Sequence, residues 1–260
     1  MFLYYLEKRA SMVNKIRMYV DDSFADSKNV SLSNKQTHYL INVMRCKPGD
    51  TLLIFNNYEE WLAEIIHIQH RIYALQCLSL ERTGDDDLSY GITLIFSPIK
   101  KERTDYIVEK ATEMGVTSII PVITEFTSRK NFNRQRLQMH AIEASEQCRR
   151  LMVPTLHEAT PIKHLIQGWH TSDPIIFCDE KRSYASSTMN DINKVIKDES
   201  QRNSSTTGIL IGPEGGFSKE EREFLYRQEY IHPISLGRNI LRSDTAVISA
   251  IAITICAMES

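Results

Sequence analysis

The chain has 260 residues, a formal net charge of −2, 42% hydrophobic and 25% charged residues. That length supports one large domain or two modest ones, with an ordinary globular composition. The charge balance excludes a globally basic nucleic-acid binder, so any RNA or DNA role has to come from local patches. Five cysteines, with no CxxC pair, fit free thiols in a reducing cytoplasm better than a disulfide framework or a zinc site.

Residues 1–16 read as an N-terminal extension, and the apolar start "MFLYYL" is cut short by Glu7-Lys8-Arg9 without a cleavage pattern. Residues 17–82 read as a small strand-rich domain. "RMYV" (17–20) is a strand candidate, and "SNKQTHYLINVMR" (33–45) opens on the capping box Ser33-x-x-Gln36 and continues as a helix. A Pro-Gly-Asp turn at 48–50 precedes three strand-like runs, "TLLIF", "WLAEIIHI" and "IYALQCLSL". The polar stretch "RTGDDDLSY" (82–90) makes a linker, which opens a second domain over 83–260.

From residue 91 the rhythm becomes strand–helix alternation, which implies a parallel sheet covered on both faces. "GITLIFSP", "SIIPVI", "PIIFC" (174–178), "GILIG" (208–212) and "YIHPISL" (230–236) read as strands. Helices are expected over "KKERTDYIVEKATEMG", over 133–151, from Ser218 with the capping box Ser218-x-x-Glu221, and from about Ser243 to the end. "DESQRNSSTTG" (198–208) reads as a polar loop. The apolar tail "AVISAIAITICAM" (246–258) is shorter than the ~20 residues that span a bilayer, so a buried core or interface helix is expected.

The stretch "ILIGPEGGFSKEE" (209–221) sets three glycines within five residues at a strand-to-helix turn. Glycine there allows backbone to go where side chains would obstruct it. A parallel sheet binds its ligand at the carboxyl ends of its strands, where this turn lies. It matches neither the dinucleotide fingerprint GxGxxG nor a P-loop, and Glu214 disfavours a phosphate ligand. The turn alone is equally compatible with tight helix packing. A second glycine-bearing strand end, "LGRNILRSDTA" (236–246), follows.

Together, "IGPEGGFSKEE" and "LGRNILRSDTA" resemble the RsmE family, the small-subunit ribosomal RNA uridine-N3 methyltransferases of the SPOUT, or α/β-knot, class. "VEKATEMGVTSIIPVITE" (108–125), "EASEQCRRLMVP" (143–154) and "HYLINVMR" (38–45) followed by "PGD" (48–50) extend the resemblance over roughly 17–257. The chain departs from the usual family pattern with Asp244 for glutamate, Tyr39 for the second histidine of His-His-Leu, and Asn56-Asn57 for Asp-Gly. The resemblance implies an α/β fold: a trefoil-knotted parallel-sheet SPOUT domain behind a PUA-like RNA-binding domain. It implies S-adenosyl-L-methionine as cofactor, 16S rRNA of the small subunit as substrate, a cytoplasmic homodimer, and no metal or membrane. It leaves open methylation of another RNA such as transfer RNA, and a non-catalytic RNA-binding or assembly role.

The same resemblance implies the site. Gly212, Pro213, Glu214, Gly215, Gly216, Leu236, Gly237, Ile240 and Leu241 would line the cofactor, with Thr245 and Ala246 as weaker candidates; Glu180, beyond "PIIFC", is a weaker candidate for the ribose hydroxyls, with a solvated loop carboxylate as the equal alternative. Core packing is the alternative for Ile240 and Leu241. Arg242 is the catalytic candidate, stabilising charge on a deprotonating uracil, with an ion pair to Asp244 or Glu214 as the alternative. Arg17, His38, Arg45, Lys100, Gln147 and Arg150 are the candidates for RNA contact. Arg129, Lys130, Arg134, Arg136, Arg149 and Arg150 against Glu143 and Glu146 leave a local excess of positive charge over 128–150 that could follow phosphates.

Overall fold

A computed structural model describes residues 16–24, 29–69, 72–84, 90–128, 133–170, 173–182, 188–202 and 206–260. The expected N-terminal extension and most of the linker lie outside the described residues. The chain divides into two units, one formed by residues 1–88 with 145–153 and the other by 89–144 with 154–260.

The first unit is a five-stranded sheet in the order β1-β3-β4-β5-β2. Its strands are β1 (Arg17–Tyr19), β2 (Asn29–Ser31), β3 (Thr51–Phe55), β4 (Glu59–Gln69) and β5 (Ile72–Thr83). β1 pairs parallel with β3, and the other pairings are antiparallel. One face buries Leu52, Ile54, Ala63, Ile65 and Leu75 against Met18, Val30 and Leu40. The capping box forms as expected at the start of α1 (Asn34–Thr37), where Ser33 Oγ accepts from Gln36 N and the Gln36 side chain accepts from Ser33 N. The helix then widens into a π-helical segment, His38–Val43. The segment ends on Arg45 at φ 57°, with Cys46 N donating to Leu40 O at 2.9 Å. A left-handed residue just past a helix end satisfies carbonyls that would otherwise lack donors.

The second unit is built on a sheet in the order β12-β10-β11-β6-β7-β8, with β9 pairing on β7. These strands are β6 (Ile92–Phe96), β7 (Ser118–Ile123), β8 (Thr155–Leu156), β9 (Thr160–Pro161), β10 (Ile175–Cys178), β11 (Thr207–Ile211) and β12 (Ile231–Ile234). All of their pairings are parallel. β6, β10 and β11 are buried at every position, as central strands of a sheet covered on both faces must be. The connecting helices are α2 (Lys101–Glu113), α3 (Arg134–Cys148, whose residues from Ser145 on count with the first unit), α4 (Ile162–Gln167), α5 (Thr188–Arg202), α6 (Lys219–Tyr226) and α7 (Ser243–Met258). α7 packs against α2, α5 and β11.

Residues 198–202, expected as a loop, instead complete α5. Ile192 and Val195 are buried at helical spacing, so the helix is set by its first three turns and carries its polar end along. β2, α4, α5 as a whole, β8 and β9 were not expected from the sequence.

Candidate active site

Three adjacent strands, β12, β10 and β11, end side by side, and the segments leaving them enclose one cleft. β10 delivers Cys178, Asp179 and Glu180. β11 delivers Ile211, Gly212, Pro213, Glu214 and Gly216. β12 delivers the turn Ser235–Leu241, and the start of α7 closes the wall with Ser243 and Ala246. The space among these residues is about 660 Å³ when the open solvent at its mouth is included.

The glycine turn is required by what surrounds it. A Cβ at Gly212 would lie 2.6 Å from the Phe217 ring. Gly216 has φ +68°, and a Cβ there would lie 3.0 Å from Glu180 Cδ and closer still to its Oε1. The turn leads into α6 through the expected capping box, with Ser218 N donating to Glu221 Oε2 at 3.0 Å. Glu221 Oε1 also accepts from Glu125 N at 2.9 Å, which ties the turn to the end of β7.

The second turn meets the first directly, because Ser243 Oγ donates to Gly212 O at 2.9 Å. The two glycine-bearing turns are thus held side by side. Gly237 has φ +130° with no atom within 4 Å of where a Cβ would be. Among the described residues, the backbone N–H groups of Leu236–Leu241 take part in no hydrogen bond. Unpaired main-chain donors along a cleft wall call for a ligand or water that supplies acceptors. They fit a nucleoside cofactor held by main-chain groups.

Of the expected cofactor residues, Gly212, Pro213, Glu214, Gly216, Leu236, Gly237, Ile240, Leu241, Glu180 and Ala246 line the cleft. Ile240 is 80% exposed, which removes core packing as its role. Gly215 faces elsewhere: its Cβ would lie 3.0 Å from Phe126 Cβ. Thr245 is exposed and its N–H donates to Asp244 Oδ1. Cys178, Asp179, Ser235, Arg238, Asn239 and Ser243 line the cleft without having been anticipated.

Arg242 is exposed and lies between the lining residues Leu241 and Ser243. It forms no ion pair among the described residues. Asp244, its expected competitor, is bound instead by Arg103 Nη1 at 3.0 Å, and Glu214 is exposed. The guanidinium is thus left available at the cleft rim.

Behind Glu180 lies a network that the sequence did not suggest. Arg222, 8% exposed, donates from Nε to Asp179 Oδ1 at 3.1 Å and from Nη2 to Glu180 Oε1 at 2.8 Å. Tyr226 OH donates to Asp179 Oδ2. Burial, then this bond to Asp179, pushes the Tyr226 phenol up to about 12. Burial alone pushes the Cys178 thiol far above its usual range, so it stays protonated and inert.

The RNA candidates separate. Arg17, expected to contact RNA, is buried: it pairs with Glu60, donates to Ser145 O and Arg150 O, and lies 3.4 Å above the Phe55 ring. It is a structural residue, because its donors are used inside the first unit. His38 is exposed and bonded to Asn42 Nδ2 through Nδ1 at 2.8 Å. Arg45, Gln147 and Lys100 are exposed, and Arg150 is half-buried. The basic strip is partly neutralised, since Arg136 pairs with Asp105 and Arg134 with Glu158 at 3.5 Å. Arg129 and Lys130 lie outside the described residues.

Residues 86–255 match the model of the RNA methyltransferase domain, and residues 32–75 match the RNA methyltransferase PUA domain. The fold and the site therefore define a PUA-containing RNA methyltransferase of the α/β class. The similarity extends to whole proteins. The ribosomal RNA small subunit methyltransferase E of Rickettsia conorii is 32% identical over 91% of this chain and 93% of its own length. That of Buchnera aphidicola subsp. Acyrthosiphon pisum is 29% identical over 90% of each. The chain belongs to the ribosomal RNA small subunit methyltransferase E family. A Legionella pneumophila protein described as a methyltransferase, solved with bound cofactor SAM, superimposes with TM-score 0.77 at 25% identity, over 93% of this chain and 97% of that one. The Neisseria gonorrhoeae family member, at 23% identity and TM-score 0.72 over 91% and 95%, shares the fold.

Proposed function

We propose that this chain transfers a methyl group from S-adenosyl-L-methionine to N3 of a specific uridine in 16S rRNA. The observation that carries this reading is the cleft between the two glycine-bearing turns, with an unpaired Arg242 at its rim. The relatives' names support the substrate class, and the family resemblance supplies the uridine N3. Bound in the cleft, the cofactor supplies an electrophilic methyl on a sulfonium.

The chain's own part is positioning and electrostatics. The main-chain groups of Leu236–Leu241 hold the nucleoside, with Ile240 and Leu241 giving apolar contact beside them. Uridine N3 must lose its proton before it can attack, and the Arg242 guanidinium stabilises the anion that results. Arginine stays charged at every relevant pH, so this assistance does not titrate away. Water has to be kept from competing with N3 for the methyl group, which a bound base over the cleft achieves. Arg45, His38, Lys100, Gln147 and Arg150 are the RNA contacts in this reading.

No helix among the described residues is long and apolar enough to cross a membrane. α7 keeps Ile248, Ala252, Ile253 and Ile255 only half-buried, which supports a homodimer that covers them, and a cytoplasmic location belongs to the same reading. Sedimentation is expected to give a species at twice the 30.0 kDa of the chain, and a fully active monomer would remove that assembly.

Single-turnover transfer from labelled cofactor to small-subunit RNA and to intact small subunits, with mapping of the methylated base, tests the function. Methyl transfer to a uridine N3 is expected. Transfer only to transfer RNA, or to no RNA at all, would replace this reading with one of the two other roles.

A further inference from the structure

Glu180 is an acidic side chain of the cleft that is fastened from behind and keeps one oxygen free. Arg222 Nη2 holds its Oε1 at 2.8 Å, while Oε2 takes no hydrogen bond among the described residues. Arg222 is itself fixed, with 8% exposure and its Nε on Asp179 Oδ1 at 3.1 Å. Asp179 is turned inward: its side chain is fully buried, Oδ1 also accepts from Lys181 N at 3.1 Å, and Oδ2 accepts from Tyr226. Gly216 completes the fixture, because its missing Cβ leaves the space in which Oε1 lies.

We propose that Arg222 is a positioning residue, holding Glu180 so that its free carboxylate oxygen receives the vicinal hydroxyls of the ribose of the bound nucleoside. This rests on the S-adenosylmethionine reading and adds the residue that orients the sugar. The chemistry selects the ligand group. Two carboxylates share one guanidinium, so the wall is net acidic and disfavours phosphate. A carboxylate oxygen accepts O–H donors, and a ribose presents two adjacent ones. Fixing the acceptor in advance reduces the side-chain ordering that binding would otherwise require.

The experiment compares the affinity of the full chain for S-adenosylhomocysteine and for its 2′-deoxy analogue, by calorimetry. The unaltered protein is expected to prefer the ribo form about tenfold or more, the range for a hydrogen bond to a charged group. Arg222→Lys keeps one cation but loses the fork that grips both carboxylates, and the ribo preference should fall severalfold. Glu180→Gln, which keeps the buried Asp179–Arg222 pair, should remove most of it. Thermal melting of each variant separates folding from recognition. A ribo preference retained in Arg222→Lys, with both affinities reduced together, would make Arg222 merely structural and overturn the inference. A preference unchanged in Glu180→Gln would do the same. Binding of neither ligand to the unaltered protein would overturn the cofactor reading itself.

Discussion

Replacing Gly216 with alanine perturbs two things at once, and their sizes can be worked out separately. At φ +68° an L-residue takes the left-handed conformation, at about 1–2 kcal/mol. The new Cβ also falls on the Glu180 carboxylate, which is the end of a flexible side chain and 31% exposed. The carboxylate therefore swings away rather than the backbone moving, and the Arg222–Glu180 pair is lost. A pair with one partner that exposed is worth up to about 1 kcal/mol. The total is about 1–3 kcal/mol. At ~2–4 °C per kcal/mol for a protein of this size, melting should fall by roughly 5 °C. In a Glu180→Ala background the obstruction is gone and only the backbone share remains, so a double-mutant cycle isolates the coupling. Calorimetry should show weaker S-adenosylmethionine binding in Gly216→Ala, because Glu180 is displaced. Equal costs in the two backgrounds, with unaltered cofactor affinity, would refute the packing argument at this turn.

Arg242→Ala should leave cofactor binding in place and lower single-turnover methyl transfer by ~10²–10³-fold, the loss typical of an anion-stabilising donor; Arg242→Lys should recover only part of this. Arg17→Met should destabilise the first unit by about 3 kcal/mol in urea unfolding, the low end for a broken buried pair, because Arg82 still holds Glu60 at 3.1 Å. RNA affinity measured where that variant is folded should be close to that of the unaltered chain, which would not hold if Arg17 touched RNA. Thiol labelling of the native protein should modify exposed Cys148 early and Cys178 only on unfolding, as read by mass spectrometry. Arg103→Gln should release Asp244 and slow transfer without weakening the cofactor, provided the freed carboxylate captures Arg242.

The central parallel strands were legible because burial on both faces demands continuous apolar runs, and "ITLIF", "IIFC" and "GILI" are such runs. Both capping boxes were legible because their hydrogen bonds span three residues and use side chains of fixed type. β8 and β9 are two residues each, too short to leave a periodic pattern. α5 went unread, and its end was taken for a loop, because residues 198–202 are polar and only the preceding turns carry the apolar spacing. The fate of Arg17 could not be read locally, since its acid lies 43 residues away and its carbonyl acceptors 128 and 133 away. The glycine turns marked the cleft, yet the pairing of Arg222 with residues 42 and 43 positions earlier left no short-range trace.

The shortened acid at 244 shows how the site depends on such distant pairing. Taken alone, an aspartate two residues after Arg242 is a local partner for it, and a captured guanidinium would have no charge to lend to a substrate. The structure gives Asp244 a different cation: Arg103, from the start of α2, binds its Oδ2 at 3.0 Å. Asp244 Oδ1 meanwhile accepts from Thr245 N at 2.9 Å, in the first turn of α7, where negative charge is favoured by the helix N-terminus. Both oxygens are therefore engaged without Arg242. The carboxylate serves to fasten α7 to α2 at the point where the second turn ends, and α7 in turn brings Ser243 onto Gly212 O at 2.9 Å. Removal of one methylene from the usual glutamate is thus compatible with the site because the acid's work is done toward Arg103 and its own helix, leaving the guanidinium of Arg242 to the cleft.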